Sequence, residues 1–398
     1  MLKSGDINTP CVVGPLPDAL PSEARVHPDA RFYLYFGAHR AYGATIRLAW
    51  STEPQGPYLE AASPVLALDP KTHRARAACE HELHGHVGSA DVHYDARANE
   101  FVMYFHAWHA TRRAAPVTCA CTDGDWCARA VDSQLVEQCT YVVRSKDGAH
   151  FNVSSARFTG APYYFRPLPD RGGDGRVLGL SKLGIVHALP KQSLSLCRAS
   201  GVEARSQTQA STLPAILASA LGAPRARGGV QCEGCARHIA MLRLDDNACA
   251  RGDARARRRL ALNGSSVGGA ALAPSRRPCA HGDATYLVVF SQQGVVNERI
   301  LAVHVDMPIA AAKPLGAPAS AKPYANIRQH IEPYLLLSTK EKWEGAHALA
   351  RKSAAGKSNE RNALRDPFVL RDRTTRRVWL FYAGGGETAI GVVELKRM

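Results

Sequence analysis

The residue types able to do acid–base chemistry recur in this chain at matching places. They are Arg25 and His27, then Ser89, Asp91 and His93, then Tyr164 and Arg166, then His238, and finally Arg365 and Asp366. Each set stands at the start of the first strand-like run of a repeated sequence unit. Asp91 and Asp366 are the carboxylates among them, and two carboxyl groups in unlike surroundings divide into a proton donor and an ionised partner. A carboxyl walled by aromatic groups near another carboxylate keeps its proton, whereas one beside an Arg stays ionised. Arg365 adjoins Asp366, which makes Asp366 the expected ionised partner. Strand neighbours point to opposite faces, however, so Arg166 is an alternative source of the pairing. A lone Asp at a strand start is ordinarily a cap or a turn residue. It is the convergence of several polar residues that argues for a site.

The elements that must position them are strands. "FYLYF", "FVMYF", "TYLVVF" and "VWLFY" are β-branched or aromatic runs of strand length bounded by Gly, Asp and Asn. Each belongs to one unit, in which an inner strand, a turn with Asp or Gly, an apolar aromatic strand and a third strand follow in order. Five copies are read, the last being "LRDPFVLRDRTTRRVWLFYAGGGETAIGVVEL". Pro367 is expected to hold Asp366 extended at its strand start. Only "STLPAILASALG" has helical spacing, and Pro214 limits it to a turn or two. Five sheet units, each too small to bury both faces alone, predict an all-β fold: a single five-bladed β-propeller domain over residues 1–398. The inner strands would line its channel, and their polar starts would meet at one mouth. A β-sandwich is the alternative, but it gives no reason for polar residues to recur at one place in the unit.

A chain of 398 residues, 45% hydrophobic and 21% charged, is expected to fold as a globular protein rather than remain disordered. It has no apolar run of membrane-spanning length, and its start has no apolar segment of a signal peptide, so a soluble protein is expected. The net charge of +15 is concentrated: residues 191–282 carry 14 Lys and Arg against 5 Asp and Glu. Long, basic, disordered loop insertions are therefore expected at about 110–138, 192–235 and 245–282. The run Arg255 to Arg259 has no aromatic residue interleaved, which favours a solvated insert over a nucleic-acid surface.

Eleven cysteines leave at least one thiol unpaired within the chain. The cluster Cys119, Cys121, Cys127 and Cys139, and the C-x-x-C of Cys232 and Cys235, read as loop disulfides or free thiols rather than a zinc site. His81, His84 and His86 in "HELHGH" have metal-ligand spacing, yet a polar loop is the safer reading, and no metal or cofactor is assigned. His39 and His106, which follow aromatic strands, read either as donors behind the site or as satisfied interior histidines. The sequons at Asn152 and Asn263 are compatible with secretion. Nothing in the sequence sets an oligomeric state.

At these motifs the chain resembles the five-bladed β-propeller glycoside hydrolase superfamily, the arabinanase, levansucrase and invertase group. "SADVHYDARANEFVMYF" is similar to that group's S-P-D strand with Ala90 in place of Pro, and "LRDPFVLRD" to its R-D-P strand. "STEPQGPY" and "RSKDGAHF" resemble its blade turns. An uncharacterised branch carries a W-E-G before the R-D-P strand and a G-E-x-x-I-G after it, here Trp343-Glu344-Gly345 and Gly386-Glu387 through Ile390-Gly391. The resemblance implies a carbohydrate partner and two carboxyl groups flanking a glycosidic bond, one protonated and one ionised. It also implies that the acid is a Glu. Glu344 leads, with Trp343 beside it as a sugar platform, and joins Asp91 and Asp366 as the catalytic candidates. Glu298 reads equally well as a surface or salt-bridged residue, and for Glu387 a partner of an Arg is the ordinary reading. The substrate-binding candidates are Arg25, His27, His39, His93, His106, Arg166, His238, Trp343, Arg365 and Glu387.

One departure stands out. Members that cleave sugars carry an Asp at the start of the first blade, where this chain is read to offer Arg25 and His27. The outcomes left open are a different carboxylate pair, an anionic sugar, transfer to phosphate, or a noncatalytic carbohydrate-binding or scaffold propeller.

Overall fold

The computed structural model describes residues 7–37, 44–78, 81–110, 128–131, 134–162, 164–167, 176–180, 186–190, 209–211, 235–243, 260–262, 283–293, 296–308, 328–329, 333–348 and 362–397. Among them the fold is all-β, with helix only as short 3-10 turns such as Ser22–Ala24, Val153–Ser155 and Lys342–Glu344. No helix among them is long and apolar enough to cross a membrane. The strands form antiparallel sheets whose main strands follow chain order, with Leu260–Leu262 added at the outer edge of the last.

In the first sheet the order is Asn8–Val13, Phe32–Gly37, Thr45–Ser51 and Leu59–Glu60. The second runs from Glu82–Asp95 through Glu100–Ala110 and Gln134–Ser145 to Arg157–Pro162. The third joins Arg166–Pro167, Arg176–Leu180, Val186–Pro190 and Gln209–Ser211. The fourth joins Cys235–Arg243, Asp283–Gln293 and Ile300–Pro308, and the last joins Arg365–Arg371, Val378–Gly384, Ala389–Arg397 and Leu260–Leu262. Inner strands of different sheets pack on one another: Asn8–Val13 touches both Glu82–Asp95 and Arg365–Arg371, and the latter touches Cys235–Arg243. That is a propeller-like arrangement.

The aromatic strands are middle strands, and Phe32–Gly37 and Val378–Gly384 are buried at every position. A strand covered on both faces has no polar side, which is why its sequence is a continuous apolar run. Its residues fill the seams between neighbouring sheets. Tyr33, Tyr35 and Leu48 pack with Phe101, Met103 and Tyr141 between the first and second sheets. Leu34 and Phe36 meet Trp379 and Phe381 between the first and last, and Leu287 and Val289 meet Leu380 and Tyr382 between the fourth and last. Burying each such side chain is worth about 1.5–3 kcal/mol, so the seams carry the fold. The turns are fixed locally. In "RDRTT" the Asp372 carboxylate accepts from Thr374 N at 2.8 Å and from Thr375 Oγ1 at 2.6 Å.

One sequence expectation is corrected here. The first inner strand is Asn8–Val13, not the Arg25 and His27 stretch. The six residues "NTPCVV" contain neither an aromatic nor a charge, so nothing in them advertised a strand of this kind. The expected inserts also contribute strands. Ala110 and Ala128–Val131 extend the second sheet, Gln209–Ser211 edges the third, and Leu260–Leu262 pairs with Ala389–Arg397 in the last. The helical reading of "STLPAILASALG" lies outside the described residues.

Candidate functional site

A shared irregularity marks the inner strands. Register shifts fall between Asn8 and Cys11, Gly88 and Asp91, Arg237 and Ile239, and Arg365 and Phe368. At three of them a non-glycine residue stands in the left-handed region: Thr9 (φ 47°), Ser89 (φ 50°) and Asp366 (φ 50°). Tyr164 (φ 60°) does so just before the third inner strand. Such backbone costs about 1–3 kcal/mol and persists where surroundings impose it, commonly beside functional sites. Asp366 is therefore not extended as Pro367 suggested; the bulge overrides the pre-proline preference. His238 falls at the bulge of the fourth inner strand, and its side chain lies outside the described residues.

Aligned by these bulges, Asn8-Thr9-Pro10 corresponds to Arg365-Asp366-Pro367. The first-sheet position that lacks a carboxylate is thus Thr9. The signal was the proline one residue on, shared by both tripeptides. Thr9 N donates to Asp366 Oδ2 at 3.1 Å, and Thr9 Oγ1 to Asn8 Oδ1 at 3.1 Å, so the first and last inner strands are tied at these residues.

Asp91 sits at the seam of the second and third sheets. Arg166 Nη1 donates to Asp91 Oδ2 at 3.0 Å and to Ala90 O at 2.8 Å. His93, two residues along the strand, brings its Nε2 against Asp91 Oδ1. Asp91 and Arg166 are buried, whereas 34% of the His93 side chain is exposed. Burial alone would push the Asp91 carboxyl up, but His93 and Arg166 outweigh it and hold it below the ordinary carboxylate range. Cys11, which sequence reasoning passed over, pins this strand from the first sheet. Val92 N donates to its sulfur at 3.1 Å, and burial pushes its thiol far up.

Arg365 does not face Asp366. Its Nε reaches Glu298 Oε2 and its Nη1 donates to Glu387 Oε1 at 2.9 Å, all three residues being buried. The bulge at Asp366 gives the two residues different partners, Glu298 and Glu387 for Arg365 and Thr9 N for Asp366. The reason for expecting Asp366 as the ionised partner is removed, and that pairing belongs to Arg166 and Asp91.

Trp343 and Glu344 build a loop anchor. Glu344 is 3% exposed; Lys340 N and Glu341 N donate to its Oε2 at 2.6 and 2.9 Å, and Tyr382 Oη donates to its Oε1 at 2.6 Å. Trp343 lies where Cβ atoms on Gly384 and Gly391 would stand, 2.6 and 2.3 Å from its ring, and it stacks on Tyr382. The W-E-G and G-E-x-x-I-G motifs are therefore two halves of one contact.

The remaining candidates are dispersed. Arg25 donates to Leu20 O at 2.9 Å and to Ala30 O at 3.0 Å, closing its own loop. His27 stacks on Trp50 with centroids 4.0 Å apart. The His106 ring lies against Tyr164, and its Nε2 is 2.9 Å from His86 Nε2. His81 packs on Phe158 and His84 lies by Glu82, so "HELHGH" does not converge; no cluster of three metal-ligating residues occurs among the described residues. His39 and Cys119, Cys121, Cys127 and Cys232 lie outside the described residues, and Cys139 is disulfide-bonded.

No protein-family model matches the chain, and no curated protein matches it. Similar solved structures include a thermostable family-43 glycoside hydrolase, 11% identical with a TM-score of 0.48 over 99% of this chain and 90% of that one. An endo-arabinase from Bacteroides thetaiotaomicron is 10% identical with a TM-score of 0.45 over 100% and 97%. An alpha-L-arabinanase from Cellvibrio cellulosa is 8% identical with a TM-score of 0.46 over 98% and 92%.

Proposed function

We propose that this chain is a glycoside hydrolase-like protein acting on carbohydrate by carboxylate chemistry in the central channel of a five-bladed propeller. The observation that carries the reading is Asp91, buried and kept ionised by Arg166 and His93, at a strand-start bulge that recurs at Asp366. Asp91 supplies the standing negative charge that favours a cationic sugar transition state. With that role filled, the division of labour makes Asp366 the proton donor, the reverse of the order its neighbour Arg365 suggested. Ser89, at a matching bulge, Tyr164, just before the third inner strand, and His238, in the fourth, are read as contacts to the sugar. Glu344 already accepts from three donors and is read as setting the loop of Trp343 rather than donating a proton. The chemistry calls for no cofactor.

The binding-only alternative has one observation of its own: Thr9 occupies in the first sheet the position that Asp366 occupies in the last. A panel of aryl glycosides and oligosaccharides, assayed with wild type, Asp91→Asn, Asp366→Asn and Glu344→Gln, separates the readings. The expected result is a kcat/KM loss on the order of 10²–10⁴-fold for the two Asp variants. Glu344→Gln is expected to lower thermal stability more than turnover. Calorimetric sugar binding without turnover in wild type supports the binding reading, and equal turnover in all four proteins overturns the assignments.

A further inference from the structure

Asp91 is poorly placed to take a proton itself. Both its oxygens already face a cationic or donor group, Oδ2 the Arg166 guanidinium and Oδ1 the His93 ring. His93 differs. It lies two residues along the same strand, hence on the same face, and it is the exposed member of the trio. Its Nε2 lies against the Asp91 carboxylate, and a neutral imidazole that puts its hydrogen there keeps its lone pair on Nδ1. The dyad is rigid from behind. Arg166 bridges Asp91 to Ala90 O, and Cys11 in the first sheet accepts from Val92 N, the residue between the two partners.

We propose that His93, oriented by Asp91, is the group that takes the proton in this site, a role that rests on the glycoside hydrolase-like reading above. Nδ1 removes a proton from a water as its oxygen bonds to the anomeric carbon. The glycosidic C–O bond breaks, and the leaving oxygen takes the proton of Asp366. The imidazolium so formed faces the Asp91 carboxylate, which stabilises it; it then returns its proton to solvent, and Asp366 takes one back from solvent, which restores both groups. Asp91 is thus a positioning residue and His93 a catalytic one. The arrangement gives the site a base in a chain whose first-sheet bulge residue is Thr9.

Two measurements test this. Nitrogen-15 spectra of the histidine rings are expected to show neutral His93 as a single tautomer with its proton on Nε2; a proton on Nδ1 overturns the dyad whatever the turnover. In kinetics, His93→Gln is expected to lower kcat about 10²–10⁴-fold with little change in KM. His93→Gly is expected to regain rate with added imidazole, the more so with more basic azoles. Wild-type turnover combined with a His93→Gln variant of unchanged rate and pH profile overturns the inference and leaves the function reading standing. A wild type that hydrolyses no glycoside overturns that reading, and the catalytic role of His93 with it.

Discussion

Two seams of this molecule are built from the same materials. At the second and third sheets Arg166 holds Asp91, and at the fourth and last Arg365 holds Glu298 and Glu387. Both guanidiniums are buried among carboxylates next to a strand-start bulge. The difference is closure. Around Arg365 no side chain of the trio is more than 1% exposed, whereas the Arg166 seam opens through His93. A sealed ion cluster can only hold sheets together, because substrate and water do not reach it. An open one keeps a fixed charge at a surface where a proton can be exchanged.

If that contrast is right, the largest stability loss in the molecule belongs to the sealed seam. Arg365→Met takes the guanidinium away from two buried carboxylates and is expected to cost about 3–5 kcal/mol. Arg166→Met is expected to cost less, since Asp91 keeps His93 and a path to solvent, while damaging any sugar turnover more. Urea denaturation with the assay described above ranks the two variants on both scales. An Arg166→Met protein that is the less stable of the pair breaks the comparison.

The last-sheet anchor next to the sealed seam gives the next effect. A methyl on Gly391 would stand 2.3 Å from the Trp343 ring, deep in a notch with no slack. Gly391→Ala is expected to destabilise by about 1–3 kcal/mol by overpacking. In Trp343→Ala the same substitution is expected to cost less, the remainder coming from the Tyr382 ring 2.8 Å from the added methyl, so the double-mutant cycle reports a coupling. Additive costs would mean that the tryptophan does not fill the notch.

The open seam should reveal itself in acid. His93 and Arg166 hold the folded-state Asp91 carboxyl below its unfolded value of about 3.9, so its stabilisation is complete above that pH. It is lost as pH falls through the lower, folded value. Between about pH 4 and pH 2 the stability of wild type is therefore expected to fall more steeply than that of Asp91→Asn, as read from urea midpoints along a pH series. Parallel slopes would mean that Asp91 is not held ionised.

The sequence disclosed these seams unevenly, and for physical reasons. Runs such as Phe32–Gly37 and Val378–Gly384 were legible as strands because burial on both faces demands apolar residues throughout. Asp91 and Asp366 were legible as candidates because carboxylates at strand starts are few. Which partner each would find was not, since alternation tells that Arg365 and Asp366 part company but not which sheet covers each side. Arg25 and His27 drew notice because they are charged, whereas the true strand start, Asn8 and Thr9, is neutral and was marked only by Pro10. Trp343 beside Glu344 looks like a sugar platform until Gly384 and Gly391 are seen on paired strands, with Gly391 opposite Tyr382. The glycines were in view, but their facing the same ring is a property of register, which one strand does not specify.

A third Arg–carboxylate contact fixes the lower end of the comparison. Arg377 meets Glu394 across two strands of the last sheet, with Nε donating to Oε1 at 2.8 Å and its guanidinium over the Trp379 ring. Its geometry is as good as that of either buried seam, but half of its side chain is exposed, so water and salt screen the pair and solvate each ion when it breaks. Arg377→Gln is expected to shift the urea midpoint by no more than the error of the measurement, and what shift remains should vanish in molar salt. A loss rivalling Arg365→Met would show that geometry, not closure, sets the worth of these pairs, and would remove the ground for reading the two buried seams differently.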